Sequence, residues 1–168
     1  SHVEMNSGIQ FFDKISTEDI QQILIKSAND LISLENPNYQ YVAARLLLFS
    51  LRKKLFHRLW EHPKFLNHIK VCIEKGMYDE EILDNYTEAE IDRMGMWIDH
   101  ERDYNFTYAG LRQVMDKYLV QDRSNGKIFE TTQFMYMMIS ATLFAQYPKE
   151  SRLQYVKKYY EAISRFKI

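Results

Sequence analysis

The chain has 168 residues, 46% of them apolar and 14% aromatic, enough to bury a core in one domain or in two small helical lobes. Lysine and arginine number 22 against 23 aspartates and glutamates, so the net charge of −1 supplies no field that would gather nucleic acid or anionic lipid. No window reaches the roughly 20 uninterrupted apolar residues of a membrane span, and residues 1–8 lack a basic-then-apolar leader, which predicts a soluble, cytoplasmic protein.

Ser16 or Thr17 is placed to cap a first helix with Glu18 and Asp19 in its first turn; Ile20, Ile23, Leu24, Ser27 and Leu31 recur at helical spacing, and Asn36-Pro37 ends the pattern. A second helix is expected from about Tyr39 to Trp60. It is apolar nearly all round from Val42 to Leu51 and turns basic at Arg52-Lys53-Lys54, the pattern of a central helix. Pro63 and Gly76 bracket a third helix carrying Phe65, Leu66, Ile69, Val71 and Ile73. A short helix at about Asp79 to Asn85 leads to Thr87-Glu88-Ala89-Glu90, a capping box that opens a helix through Ile91, Met94, Trp97 and Ile98 to about Glu101.

Strand character is confined to Tyr118-Leu119-Val120 and Lys127-Ile128-Phe129-Glu130, with Asn125-Gly126 supplying the positive-φ turn between them. Thr132 is then placed to cap a helix with Phe134, Met137, Met138, Ala141 and Phe144, which Tyr147-Pro148 breaks. A last helix from about Lys149 turns Leu153, Val156, Tyr160 and Ile163 inward. The fold class is therefore mainly α, a helical, bundle-like region with one short β-hairpin near residues 118–130 and no repeat period. A first residue that is not methionine, and an end inside the amphipathic pattern at Phe166-Lys167-Ile168, lead us to expect a fragment.

The residues offer little chemistry of their own. His2, His57, His62, His68 and His100 contain no pair at the spacing that puts two metal ligands on one helix face, so no metal site is expected. Gly8, Gly76, Gly95, Gly110 and Gly126 are scattered singly, which excludes a phosphate-cradling glycine loop within these residues. Cys72 lies in the apolar run Ile69-Lys70-Val71-Cys72-Ile73 and reads as a small buried hydrophobe, without a partner for a redox pair. His100-Glu101-Arg102-Asp103 looks like an acid/base cluster, but consecutive helical side chains diverge, so ion pairing and capping are expected of it. Phe134-Met135-Tyr136-Met137-Met138 reads as core.

The run Ile9-Gln10-Phe11-Phe12-Asp13, followed by Thr17, Asp19-Ile20, Ile25-Lys26 and Pro37-Asn38-Tyr39-Gln40-Tyr41-Val42-Ala43-Ala44-Arg45-Leu46, resembles the second half of the ATP-cone of class I ribonucleotide reductase large (alpha) subunits. Tyr86-Thr87, Glu90, Ile98-Asp99-His100-Glu101-Arg102-Asp103, Phe106-Thr107-Tyr108, Lys117-Tyr118-Leu119-Val120 and Arg152-Leu153-Gln154-Tyr155-Val156-Lys157 resemble the all-α domain that precedes that family's catalytic barrel. The resemblance implies a partial cone over 1–62, limited to its last helices, and an all-α domain over 63–168.

It further implies an enzyme that reduces ribonucleoside diphosphates to deoxyribonucleotides by radical chemistry. The radical-site and reducing cysteines lie outside the matched region, so this chain alone is expected to hold no catalytic residue. The implied partners are the remainder of the alpha subunit, a second alpha subunit and the radical-generating beta subunit. ATP or dATP is the implied allosteric effector, with no covalently held group and no metal. Thr17, Phe49 and Lys53 match the family's nucleotide contacts, respectively a threonine, a pocket aromatic and a lysine facing the phosphates. Thr17 equally fits a simple cap, and Lys53 one of three solvated basic residues. Gln21 departs from the histidine of several dATP-inhibited relatives, and the cone's first half falls outside the match. The competing expectation is a free-standing helical interaction module derived from the same family.

Overall fold

A computed structural model describes residues 15–58 and 60–167; the Ile9-Gln10-Phe11-Phe12-Asp13 run lies outside the described residues. In chain order the helices are α1 (Thr17–Asp30), α2 (Tyr39–Phe56), α3 (Phe65–Glu74), α4 (Glu81–Asn85), α5 (Glu88–Trp97), a 3-10 helix at His100–Asn105 and α6 (Tyr108–Lys117). The antiparallel strands β1 (Gln121–Asp122) and β2 (Lys127–Ile128) follow, then α7 (Thr132–Leu143) and α8 (Arg152–Ser164). The described chain is thus mainly α with one hairpin, as its periodicity predicts. No described helix is long and apolar enough to cross a membrane. Its contacts group it into two units: the described residues up to Trp60 with Asp103–Tyr118, and those of Glu61–Arg102 with Leu119–Ile168.

In the first unit α2 is central, packed by α1 and by α6. It buries Ala43, Ala44, Leu47, Leu48 and Leu51, small residues alternating with leucines so that two helices can approach it. Ser16, not Thr17, caps α1: its hydroxyl accepts the Asp19 amide at 3.1 Å, and Thr17 is the first helical residue. The buried stripe of α1 is Ile25, Ser27 and Ala28, while Ile20, Ile23, Leu24 and Leu31 are only half-buried; the helix ends at Asp30, before Asn36-Pro37.

α2 stops at Phe56 rather than Trp60, because His57 takes a left-handed φ of 58° and its amide closes on the Lys53 carbonyl at 2.9 Å. α6 was not anticipated from periodicity, yet its signals are present. The Thr107 hydroxyl accepts the Gly110 amide at 3.2 Å, and Leu111 and Met115 lie buried one turn apart.

In the second unit α5 packs on α3 and α8, and α8 on α7. The centre holds Phe65, Ile69, Ile91, Met94, Phe134, Met137, Val156 and Tyr160. The capping box forms as expected: Thr87 Oγ1 accepts the Glu90 amide at 3.2 Å and the Glu90 carboxylate accepts the Thr87 amide at 2.8 Å. Gly95 lets α5 approach α3, since a Cβ there would lie 3.1 Å from that of Phe65. α5 ends at Trp97 instead of about Glu101, where the backbone turns extended at Ile98.

Other boundaries shift as well. β1 is Gln121–Asp122 rather than Tyr118-Leu119-Val120, because Tyr118 ends α6 and Leu119 is 1% exposed in the second unit's core. The Asp122 carboxylate accepts the Ser124 amide at 2.9 Å and the Asn125 side-chain amide at 3.0 Å, which with Gly126 at φ 72° closes the turn. Thr131, one residue before Thr132, caps α7 through the Phe134 amide. α8 begins at Arg152 rather than Lys149, and Leu153 and Ile163 are half-buried while Arg152 and Ser164 are buried. Arg152 donates to both Glu90 oxygens at 2.9 and 2.8 Å and lies over the Tyr86 ring at 4.3 Å.

A buried polar chain ties the hairpin to α3. His68 Nε2 lies 3.1 Å from the Tyr78 hydroxyl, Tyr78 donates to the Glu130 carboxylate, and Glu130 Oε1 accepts the Val120 amide at 2.8 Å. Burial holds the His68 imidazole down to about 4 and raises the Glu130 carboxyl. Burial also pushes Cys72 up to about 11, so the thiol is the inert buried residue its apolar run predicts.

Two outcomes follow from this packing. Phe134→Ala, which empties a side chain 1% exposed, lowers stability by about 3–5 kcal/mol in urea unfolding. His68 binds its proton more weakly folded than unfolded, so its contribution falls as pH drops from 6.5 towards 4. Glu130, raised on folding, acts in the opposite sense. The difference between the parent and His68→Gln isolates the histidine: from pH 7 to pH 4 the parent loses on the order of 3 kcal/mol more than the variant. Parallel pH profiles contradict this assignment.

Candidate functional site

Arg45, Phe49 and Lys53 lie four residues apart and share one face of α2 in the first unit. Beneath them Arg52 turns inward. Its Nη2 lies 3.6 Å from Asp103 Oδ2, with the two side chains 3% and 0% exposed. Its Nη1 donates to the Tyr104 hydroxyl at 3.2 Å. The Tyr104 ring stands between the guanidinium groups of Arg45, at 5.4 Å, and Arg52, at 5.3 Å. Phe49 makes edge-to-face contacts with that ring at 6.4 Å and 78° and with the Trp60 indole at 5.1 Å and 67°. The patch is therefore three rings in sequence, with the two guanidinium groups against Tyr104.

Thr17 is exposed in the first turn of α1, and Lys53 is exposed in the last turn of α2. Glu18 and Lys54, both more than half exposed, form an ion pair at 2.6 Å between those two helix ends. The structure thus sets Phe49 and Lys53 on one helical face, while Thr17 lies on the neighbouring helix α1, whose Glu18 pairs with Lys54. With Ser16 as the cap, the Thr17 hydroxyl is not needed to close α1. An N-terminal helix end, an ammonium and aromatic faces suit a ligand that is anionic at one end and planar at the other.

Sequence reasoning missed Tyr104, Trp60 and the inward turn of Arg52. The spacing of Arg45, Phe49 and Lys53 was visible; no local signal carries Tyr104 across 52 positions to Arg52.

The four ionisable residues 100–103 go separate ways, as expected. Arg102 donates to both Glu161 oxygens at 3.0 Å and also pairs with Asp99, while Asp103 meets Arg52. His100 stacks on His62 with centroids 3.6 Å apart and planes 3° apart, in a second-unit cleft of about 550 Å³ also lined by Lys64, Asp92, Met96 and Phe134. Ring lone pairs lie in those parallel planes, so the two imidazoles do not converge on one point. Among the described residues no three His, Cys, Asp or Glu side chains are grouped to hold a metal ion.

Residues 104–168 match the family model described as ribonucleotide reductase, all-alpha domain. The chain is 50% identical over 168 residues, its whole length, to the ribonucleoside-diphosphate reductase 1 subunit alpha of Escherichia coli (strain K12). It is 46% identical over 152 residues, 90% of its length, to the ribonucleoside-diphosphate reductase subunit alpha of Enterobacteria phage T4. The corresponding protein of Helicobacter pylori is 35% identical over 167 residues, 99% of the chain. The chain spans only 22%, 20% and 20% of these three relatives respectively.

The buried ion pair gives the site's own test. Arg52→Met leaves the Asp103 carboxylate inside without its guanidinium and costs about 3–5 kcal/mol in denaturant unfolding; adding Asp103→Asn restores much of that loss. A single variant as stable as the parent contradicts the role given to the pair.

Proposed function

The chain belongs to the ribonucleotide reductase large-subunit family, and we propose that it serves there as a non-catalytic regulatory and scaffolding segment. The parent protein on this reading reduces ribonucleoside diphosphates to deoxyribonucleotides in the cytoplasm. Residues 1–62 are the last helices of its ATP-cone and 63–168 the all-α domain before the barrel. The segment's partners are the rest of the alpha subunit, a second alpha subunit and the radical-generating beta subunit. Identity of 50% along the entire chain is the observation that carries this reading.

The chain's own chemistry agrees with a non-catalytic part. Its single cysteine is 2% exposed and held as a thiol by burial, the opposite of what disulfide exchange requires. Its contribution is binding. ATP or dATP is the effector, with Lys53 opposing the phosphates, Phe49 beside the base and Thr17 supplying a hydroxyl at the α1 terminus. The supporting geometry is the common face of Phe49 and Lys53, beside the N-terminus of α1.

Two measurements test the reading. The native reading frame is expected to continue past Ile168 into a cysteine-bearing barrel and to extend upstream into the rest of the cone. A stop directly after Ile168 with a start immediately upstream would favour a free-standing helical module instead. For the effector face, calorimetric titration of the 168-residue chain with ATP to millimolar concentration is expected to detect binding. Lys53→Ala weakens it by about tenfold or more, through loss of a cation facing phosphate; unchanged affinity counts against the assigned face.

A further inference from the structure

Trp60 is the anomaly of the first unit. An indole contributes most when covered, yet this one is 67% exposed, in edge-to-face contact with Phe49 at 5.1 Å. The chain bends to bring it there. Had α2 run on to Trp60, eleven further residues of helix would have carried the indole about 16 Å along the axis from Phe49. Instead His57, at φ 58°, ends the helix, and the Trp60 ring lies 5.1 Å from that of Phe49.

The surroundings define what that ring can receive. Tyr104, contacted by Arg45 and Arg52, also packs against Phe49. Of the three rings Trp60 is exposed while Phe49 and Tyr104 are half-buried, so the indole is the ring most open to a ligand. Lys53 stands one helical turn beyond Phe49, about 6 Å along the axis, an offset that a ribose bridges. The C-terminus of a helix repels anions, but the exposed Lys53 and Lys54 offset it here, and Lys54 is already engaged by Glu18. An aromatic face at one end and a cation at the other match a purine nucleoside triphosphate.

We propose that Trp60 is the base-stacking platform of the α2 effector face, taking the purine while Lys53 faces the phosphates. This rests on the reading of Phe49 and Lys53 as nucleotide contacts, and adds a residue that the family resemblance does not supply.

The test uses the 168-residue chain, which has two tryptophans. Trp97 belongs to the second unit, with the Lys157 ammonium over its ring at 5.4 Å, so Trp97→Phe leaves Trp60 as the sole reporter. Titrating that variant with ATP quenches the remaining emission saturably. Trp60→Ala, with helicity checked by circular dichroism, weakens ATP binding roughly 5- to 150-fold, the usual effect of removing one base-stacking ring. Trp60→Phe keeps most of the affinity. An unchanged affinity in Trp60→Ala alongside a loss in Lys53→Ala, or ATP binding without quenching, would overturn the role of Trp60 and leave the effector face standing. No ATP binding by the parent chain overturns both.

Discussion

A guanidinium taken out of water must be met by a carboxylate, and much of this structure is arranged around that requirement at two arginines. Arg52, near the end of the central helix of the first unit, is answered by Asp103 and Tyr104 from 51 and 52 positions away. Arg152, at the start of α8, is answered by Glu90 and by the face of Tyr86. Such pairs add little net stability, because desolvation consumes most of the Coulombic gain, but an arrangement that breaks one is heavily penalised. Their effect is on register. α2 has a low contrast between its faces, and the need to bury Arg52 against Asp103 fixes its rotation in a way that a nearly uniform apolar surface does not.

Glu90 shows how one side chain can serve local and tertiary structure together. Its carboxylate accepts the Thr87 amide that opens α5 and also receives Arg152 from α8. Burial by itself would raise its pKa, but the Thr87 amide and Arg152 hold it below the ordinary carboxylate range. Helix initiation and the docking of α8 therefore depend on the same charge. The hairpin relies on comparable economy. Two-residue strands have no independent stability, and the base of the ribbon is held instead by Glu130, which links the Val120 amide to Tyr78 and so to His68 on α3.

Among the described residues, the buried ionisable groups His68, Glu130, Arg52, Asp103 and Arg152 are engaged in structural contacts. The aromatic and cationic face of α2 is the surface on which the proposed effector reading rests. Such a segment agrees with the proposed non-catalytic role within the large-subunit family to which the chain belongs.

The sequence by itself determined the helical class, the Thr87 capping box, the burial of Cys72 and of the Phe134 run, and the family. Each of these is written either in short-range periodicity and capping chemistry or in identity along the chain. It also displayed Arg45, Phe49 and Lys53 at one helical spacing. Tertiary structure alone decided that α2 ends at Phe56, since the left-handed turn at His57 is a choice that a histidine tolerates but does not announce. It decided which of three consecutive basic residues goes inside, because only Arg52 meets Asp103. It placed Tyr104 and Trp60 against Phe49, and it stacked His62 on His100. Those outcomes depend on contacts between distant segments, whose free energies come from desolvation and packing in three dimensions and leave no period in the sequence.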